Sequence, residues 1–346
     1  MYKLFSFVLF FVLTSCGKGL FKNAAMSSIY NSSLKLGVAE ETNCVVSKQG
    51  KVKCWGHNND GVLGLGNSST NRIGDEAGEM GENLVYLDLG SDLYVSSISG
   101  GEDHFCALFN TGKVKCWGQN HNGELGIGDV NDRGDESNEM GDNLPFVDLG
   151  IGLSAKVLTS GEEFNCVILQ DDSVKCWGKN SFGQLGYGDT DYRGDNSNEM
   201  GDNLPRVDLG TGRTAKSINA GEDHVCAVLD NDDVKCWGRN RNGQLGQGDE
   251  NDLGDNPNEM GDNLVAVDLG TGRSAISVVA GYSSTCAILD NSLVKCWGNG
   301  SAGILGTGNT TYLGDDPNEM GDNLNPIDLG VGVLAQNIDI GEGHVC

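Results

Sequence analysis

The string Lys-Cys-Trp-Gly stands at residues 53–56, 115–118, 175–178, 235–238 and 295–298, a first interval of 62 residues followed by three of 60. A fixed period of this length means that one structural unit is built repeatedly, each copy finding part of its core in its neighbours. Around the string the same wording recurs. One unit runs from Val114-Lys115-Cys116-Trp117-Gly118-Gln119-Asn120 through Gly123-Glu124-Leu125-Gly126-Ile127-Gly128-Asp129. It continues with Asn138-Glu139-Met140-Gly141-Asp142-Asn143-Leu144 and Val147-Asp148-Leu149-Gly150, and Gly161-Glu162-Glu163-Phe164-Asn165-Cys166 leads into the next. Such regularity leaves little of the 346 residues for a separate catalytic domain.

The unit is made of strands. Helices need long stretches at 3.6-residue periodicity, whereas here 53 glycines and many Asn and Asp residues interrupt short β-branched segments. Around residue 220 the pattern predicts strands at Ala215–Ala220, Val225–Leu229 and Val234–Trp237, with a turn at Asp230-Asn231-Asp232. A weaker fourth strand is expected over Leu204–Leu209, ahead of these three. About four strands in a repeat of this length describe a propeller blade. The fold class expected is therefore an all-β propeller of four-stranded blades, with five complete repeats and the start of a sixth.

Ten of the twelve cysteines fall in pairs ten residues apart: Cys44 with Cys54, Cys106 with Cys116, Cys166 with Cys176, Cys226 with Cys236, and Cys286 with Cys296. Folding the second unit back about Thr111, through a three-residue loop Asn110-Thr111-Gly112, sets residue 106 opposite residue 116. Opposed residues of a non-hydrogen-bonded antiparallel pair lie within disulfide reach. The register thus predicts one disulfide per hairpin; reduced cysteines packed as small core residues are the alternative, and zinc fits this spacing poorly. Cys346 occupies the register of Cys226 and Cys286, so a further hairpin arm is expected after it, and the sequence reads as a truncated chain or a fragment.

Lys3 followed by the apolar run Leu4–Leu13 has the form of a secretory signal, too short to span a bilayer as a mature segment. The following Leu13-Thr14-Ser15-Cys16 resembles the lipobox of bacterial lipoproteins. That resemblance implies cleavage before Cys16, a diacylglyceryl group on its sulfur, and a membrane anchor of several acyl chains. Residues 1–15 are then a signal peptide, 16–33 a flexible tether rich in Ser, Asn, Ala and Lys, and 34–346 the repeats. The expected location is the bacterial cell envelope, on the periplasmic face or the cell surface, an oxidising setting that suits paired cysteines.

With 49 acidic against 23 basic residues the formal charge is −26, which argues against nucleic acid as a partner and towards a protein with a basic surface. Gly221-Glu222-Asp223-His224-Val225-Cys226-Ala227-Val228-Leu229, Val234-Lys235-Cys236-Trp237-Gly238-Arg239-Asn240 and Gly243-Gln244-Leu245-Gly246-Gln247-Gly248 resemble the repeat of the regulator of chromosome condensation family. The resemblance implies a β-propeller, usually of seven blades, and recurs from about residue 34 onward. Paired cysteines and an extra acidic loop in each unit depart from it. Members of that family include nuclear exchange factors for a small GTPase, photoreceptors and secreted inhibitors of β-lactamase, so the fold alone does not fix a function.

Several kinds of site are candidates. The acidic loop offers Asp129, Asp135 and Asp142 as calcium candidates, but Arg133 and Met140 stand where an EF-hand needs an oxygen ligand and a bidentate glutamate. A looser calcium site stays open beside solvated turns capped by Asp and Asn. His104, His224 and His344 share a register that Thr42, Phe164 and Ser284 fill in other units, which suits packing or a hydrogen bond better than catalysis. Trp55, Trp117, Trp177, Trp237 and Trp297 are expected in the blade core. The Gly-x-Leu-Gly-x-Gly runs lack the Lys-Ser/Thr and helix of a phosphate loop, and no catalytic set recurs. The function expected is an exported, lipid-anchored, non-catalytic interaction scaffold without a cofactor. An inhibitor of an exported enzyme, an exchange regulator and an envelope hydrolase are the alternatives.

Overall fold

The computed structural model describes residues 35–67, 72–341 and 343–346; the expected signal peptide and tether, with Cys16, lie outside the described residues. Strands come in sets of three, and each set is one sheet. The first contains β1 (Lys35–Val38), β2 (Thr42–Val46) and β3 (Val52–His57), extended by the two-residue β4 (Arg72–Ile73). The next sheets are β5 (Val95–Gly100), β6 (His104–Phe109), β7 (Val114–Gly118), and β8 (Ala155–Ser160), β9 (Phe164–Leu169), β10 (Val174–Gly178). Two more follow: β11 (Ala215–Ala220), β12 (His224–Leu229), β13 (Val234–Gly238), and β14 (Ala275–Ala280), β15 (Ser284–Leu289), β16 (Val294–Gly298). Pairing within each sheet is antiparallel throughout. Among the described residues no helix is long and apolar enough to cross a membrane.

The hairpin between the second and third strands has the register the spacing predicts, with Cys106 opposite Cys116 and Leu108 opposite Val114. Gly112 takes a φ of 77° at the end of its loop, a conformation that a side chain disfavours. All five cysteine pairs are disulfides. Cys44 is bonded to Cys54, Cys106 to Cys116, Cys166 to Cys176, Cys226 to Cys236 and Cys286 to Cys296. Their Cα atoms are only 4.0 to 4.1 Å apart, the short spacing of non-hydrogen-bonded partners.

The fourth strand differs from the expectation. Leu204–Leu209 is not a strand, and it borders the preceding hairpin rather than its own. The outer edge of β10 is instead met at two separate points: a bridge between Gly178 and Arg193, and a hydrogen bond from Val207 N to Val174 O at 2.9 Å. Between those points the chain leaves the sheet as the acidic loop. Pro205 also removes a backbone donor from this stretch. The blade therefore keeps its fourth position, but broken in two by the insertion.

Successive sheets stack in chain order, the first strand of each against the first strand of the next. Side chains on these inner strands reach across: Ser99 Oγ accepts from Ser160 N, Thr159 Oγ1 from Ala220 N, and Asn219 Oδ1 from Ala280 N. The tryptophans fill the joints. Trp177 Nε1 donates to Glu124 O at 3.0 Å, Trp237 to Gln184 O at 3.1 Å and Trp297 to Gln244 O at 3.0 Å, each into the turn of the unit before. Trp117, Trp177, Trp237 and Trp297 are wholly buried, while Trp55, with no earlier unit among the described residues, is only half-buried. The glycine before each of these turn residues is obligatory, because a Cβ on Gly183 would lie 2.2 Å from the Asp255 nitrogen of the next unit. Repeated sheets stacked by their inner strands around one axis are the blades of a β-propeller.

Candidate binding face at the propeller axis

The turn joining the first and second strands of every blade comes to the axis. A ladder of backbone bonds links these turns: Glu40 N to Glu102 O, Glu102 N to Glu162 O, Glu162 N to Glu222 O, and Glu222 N to Gly281 O, at 2.8 to 3.1 Å. The ladder holds Glu40, Glu102, Glu162 and Glu222 in one register, with Glu41, Asp103, Glu163 and Asp223 beside them. The residue after each Trp-Gly lies against the same turn, since Gln119 N donates to Asp103 O, Lys179 N to Glu163 O and Arg239 N to Asp223 O. In a repeat whose Lys-Cys-Trp-Gly never changes, this position reads His57, Gln119, Lys179, Arg239 and Asn299. The axial face is thus one place where the units differ from one another.

The face is electrically divided. On its third and fourth blades, carboxylates converge: Glu162, Glu222 and Asp223 are the one place among the described residues where three potential ligand groups lie within 4.8 Å of one another. That place already holds a cation. Lys179 Nζ sits 2.5 Å from Glu163, 3.6 Å from Glu162 and 3.6 Å from Asp223. Arg239 adds contacts of 3.1 Å to Asp223 and 3.8 Å to Glu222, and its guanidinium stacks 4.7 Å from the Phe182 ring. Burial opposes the charge on Lys179, yet the bond to Glu163 and the charges of Asp223 and Glu163 outweigh it and hold its pKa above the ordinary lysine value. Glu222, only 5% exposed, is pushed up to about 7 by burial, with Glu162 adding to the rise.

On the first and second blades the balance is different. Glu40, Glu41, Asp60 and Asp103 meet no lysine or arginine among the described residues; the basic group beside them is His57, 3.7 Å from Glu41. Burial, then the charges of Asp60 and Glu40, raise Asp103 to about 6. Glu124, fully buried, is raised to about 7 by burial; its Oε2 accepts from Asn122 N, while its Oε1 meets no donor. At the same position Gln184 donates to Asp223 at 3.0 Å, so the sister unit uses an amide where this one has an acid.

The calcium candidates do not come together. Asp129 pairs with Arg133 at 2.7 Å and caps Asn131 N at 2.9 Å. Asp142 accepts from Ser91 N and Oγ at 2.9 and 3.0 Å, an inter-unit clasp that Asp262 repeats on Thr211 and Asp322 on Thr271. Asp135 lies beside Glu139, and its pKa is raised by burial and by that neighbouring carboxyl. The glutamate itself receives Gly134 N and Glu136 N at 2.9 and 3.0 Å. Each candidate thus belongs to a different turn.

The histidine register spans the joints. His104 Nε2 meets Asn165 Oδ1 at 3.1 Å, and His224 Nε2 meets Thr285 Oγ1 at 2.9 Å. Four buried lysines also serve the joints: Lys175 Nζ donates to Leu149 O and Gly201 O, both at 2.8 Å, and Lys115, Lys235 and Lys295 do the same in their units. Their invariance beside each disulfide cysteine was the signal that sequence reading left unused. The axial convergence had none, because Glu162, Glu222 and Lys179 are brought together only by stacking of blades.

Family models described as regulator of chromosome condensation (RCC1) repeat match residues 95–124, 157–184, 215–244 and 275–304, and residues 171–228 and 232–288. Among curated proteins, the ultraviolet-B receptor UVR8 of Arabidopsis thaliana is 33% identical over 217 residues, 62% of this chain and 43% of the receptor. The probable E3 ubiquitin-protein ligase HERC4 of Mus musculus is 28% identical over 225 residues, 64% of this chain and 19% of the ligase. The chain therefore spans less than half the length of either relative. Of solved structures, yeast RCC1 (Prp20) bound to Kap60 superposes with a TM-score of 0.60 at 19% identity, over 90% of this chain and 64% of that one. Human WBSCR16 does so with 0.61 at 17% identity, over 86% and 67%. At these identities the two structures speak for the fold alone. The repeat matches together take in just over half of the 346 residues, and the chain belongs to the regulator of chromosome condensation repeat family.

Proposed function

We propose that this propeller is an exported, lipid-anchored, non-catalytic scaffold that binds a protein with a basic surface at the bacterial cell envelope. The observation that carries the reading is the half of the axial face built from Glu40, Glu41, Asp60 and Asp103, where the carboxylates have no lysine or arginine partner among the described residues. The equivalent carboxylates on the other half are neutralised from within by Lys179 and Arg239. A basic side chain from a partner would do for the first half what these two do for the second. Desolvated charge pairs of this kind give specificity and fast encounter more than raw affinity. Matched relatives include a receptor and a probable ligase that carry much more chain than this one, and the repeats are the part they share with it. The anchor rests on Cys16 and the apolar run before it.

The test is capture of envelope proteins by the wild type and by a Glu41→Gln, Asp103→Asn double variant at low and at high salt. One partner held by the wild type, released by salt and lost at least tenfold in the variant is the expected result. A variant that retains every partner would remove the axial face from the reading. Mass spectrometry of the exported chain should find acyl groups on Cys16, and a Cys16→Ser form that stays in the membrane fraction would refute the anchor.

A further inference from the structure

We propose that the hairpin end of the first blade is a membrane-contact surface that seats on anionic phospholipid headgroups and thereby fixes which way the propeller faces. The proposal rests on the reading that Cys16 anchors the chain, and it adds a second, protein-borne contact to the acyl chains. Lys35, where the described chain begins, pairs with Val46 at the foot of the first sheet. The adjoining turn runs Ser47-Lys48-Gln49-Gly50-Lys51, closed by Ser47 N to Lys51 O at 2.8 Å.

Aromatic side chains pack on this turn and stay in solvent. Tyr94 Oη donates to Lys48 O at 2.9 Å, and its ring covers Gly50 so closely that a Cβ there would lie 2.5 Å from it. Lys53 and Lys51 lie 4.7 and 5.6 Å from the Tyr86 ring. Exposure remains 48% for Leu36, 61% for Val85, 52% for Tyr86 and 42% for Tyr94. A cleft of about 250 Å³ opens among Lys51, Tyr86, Leu87, Leu93 and Gly90. Amphipathic rings and lysines on apolar stems are the side chains that suit the level of lipid headgroups. Glu82, Asp88, Asp92 and Asp142 are the nearby acids; Asp88 is committed to Gly90 N at 3.0 Å, and Asp142 to Ser91 N and Oγ at 2.9 and 3.0 Å.

The five units differ at this turn. Residues 48–51 read Lys-Gln-Gly-Lys; the equivalents are Asn-Thr-Gly-Lys at 110–113, Gln-Asp-Asp-Ser at 170–173, Asp-Asn-Asp-Asp at 230–233 and Asp-Asn-Ser-Leu at 290–293. In a chain of charge −26, this turn is basic in the first two units and acidic in the last three. Tyr86 likewise becomes Phe146, Arg206, Ala266 and Pro326. Eighteen residues separate Cys16 from Lys35, a length that reaches at most about 70 Å. The acyl group and the patch can therefore meet one leaflet. The turn at Glu40–Glu41 lies at the other end of the same strands, so a molecule seated on the patch presents its axial carboxylates away from the bilayer.

Residues 17–346, which keep every repeat and carry no acyl group, serve as the probe in flotation with vesicles. At low salt they are expected to bind phosphatidylglycerol–phosphatidylcholine vesicles, in about a 3:7 ratio, at least tenfold better than phosphatidylcholine alone, and to lose that binding at about 0.5 M NaCl. A Lys48→Glu, Lys51→Glu double variant should lower binding at least tenfold with the melting temperature kept. Arg241→Glu, an exposed reversal at the opposite end, should leave it within twofold, and Tyr86→Ser should weaken it without changing charge. Equal binding to both vesicles, no binding, or an unchanged lysine variant would overturn the proposal. So would displacement by inorganic phosphate beyond that by chloride of equal ionic strength, which would mark a free-phosphate site. Binding with Cys16 found unacylated would keep the patch and remove the anchor; an acylated Cys16 with no vesicle binding would do the reverse.

Discussion

Glu124 shows how a single position can be read against its own copies. Burial raises it to about 7 from an ordinary 4.5, so the fold keeps a proton that the unfolded chain releases in that interval. The stability it supplies is whole below pH 4.5 and is lost as pH rises through 7. Glu124→Gln, which copies Gln184 and Gln244, is expected to stabilise by roughly 1–3 kcal/mol at pH 8 and by almost nothing at pH 4.5. Thermal melts at the two pH values decide it, and an equal gain at both would mean that titration is not the cause. His224 slopes the other way. Burial lowers it to about 3, so the stability of its neutral form is complete above 6.5 and falls away as pH drops.

The hairpin is the element on which each blade depends. Each disulfide closes a loop across ten residues, for which chain entropy gives about 2.5–3 kcal/mol. Replacing Cys166 and Cys176 by Ala together is expected to cost about that much in denaturant unfolding, and no loss would show the staple to be idle. This hairpin was legible in advance because a period of two and a spacing of ten leave a single register, which holds from Cys44 and Cys54 in the first blade to Cys286 and Cys296 in the last complete one. The fourth strand was not. Leu204–Leu209 carries spaced apolar residues, and Leu204, Val207 and Leu209 are buried, but only Val207 makes a backbone-to-backbone bond to a sheet. Periodicity reports which side chains face the core and says nothing about which backbone lies alongside. The axial site was hidden for another reason: Glu162, Glu222 and Lys179 are distant in sequence, and only the stacking of blades brings them within reach of one another. The variable residue after each Trp-Gly was visible, but its common place on one face was not.

At the scale of the whole molecule the acidic loops act as fasteners between units. The carboxylates of Asp142, Asp262 and Glu139 already receive backbone donors, and Asp129 already has Arg133. A chelator is therefore expected to leave the melting temperature unchanged, and a fall of about ten degrees would restore a calcium site to those loops. The tryptophans carry a further consequence. Because the indoles of Trp117, Trp177, Trp237 and Trp297 are received by the turn of the unit before, these copies do not own a finished interior; the finished object is the boundary between two copies. An evolving gene could therefore gain or drop copies from the middle in whole sixty-residue steps and leave every surviving boundary intact, whereas a cut at any other phase would strand an indole without its socket.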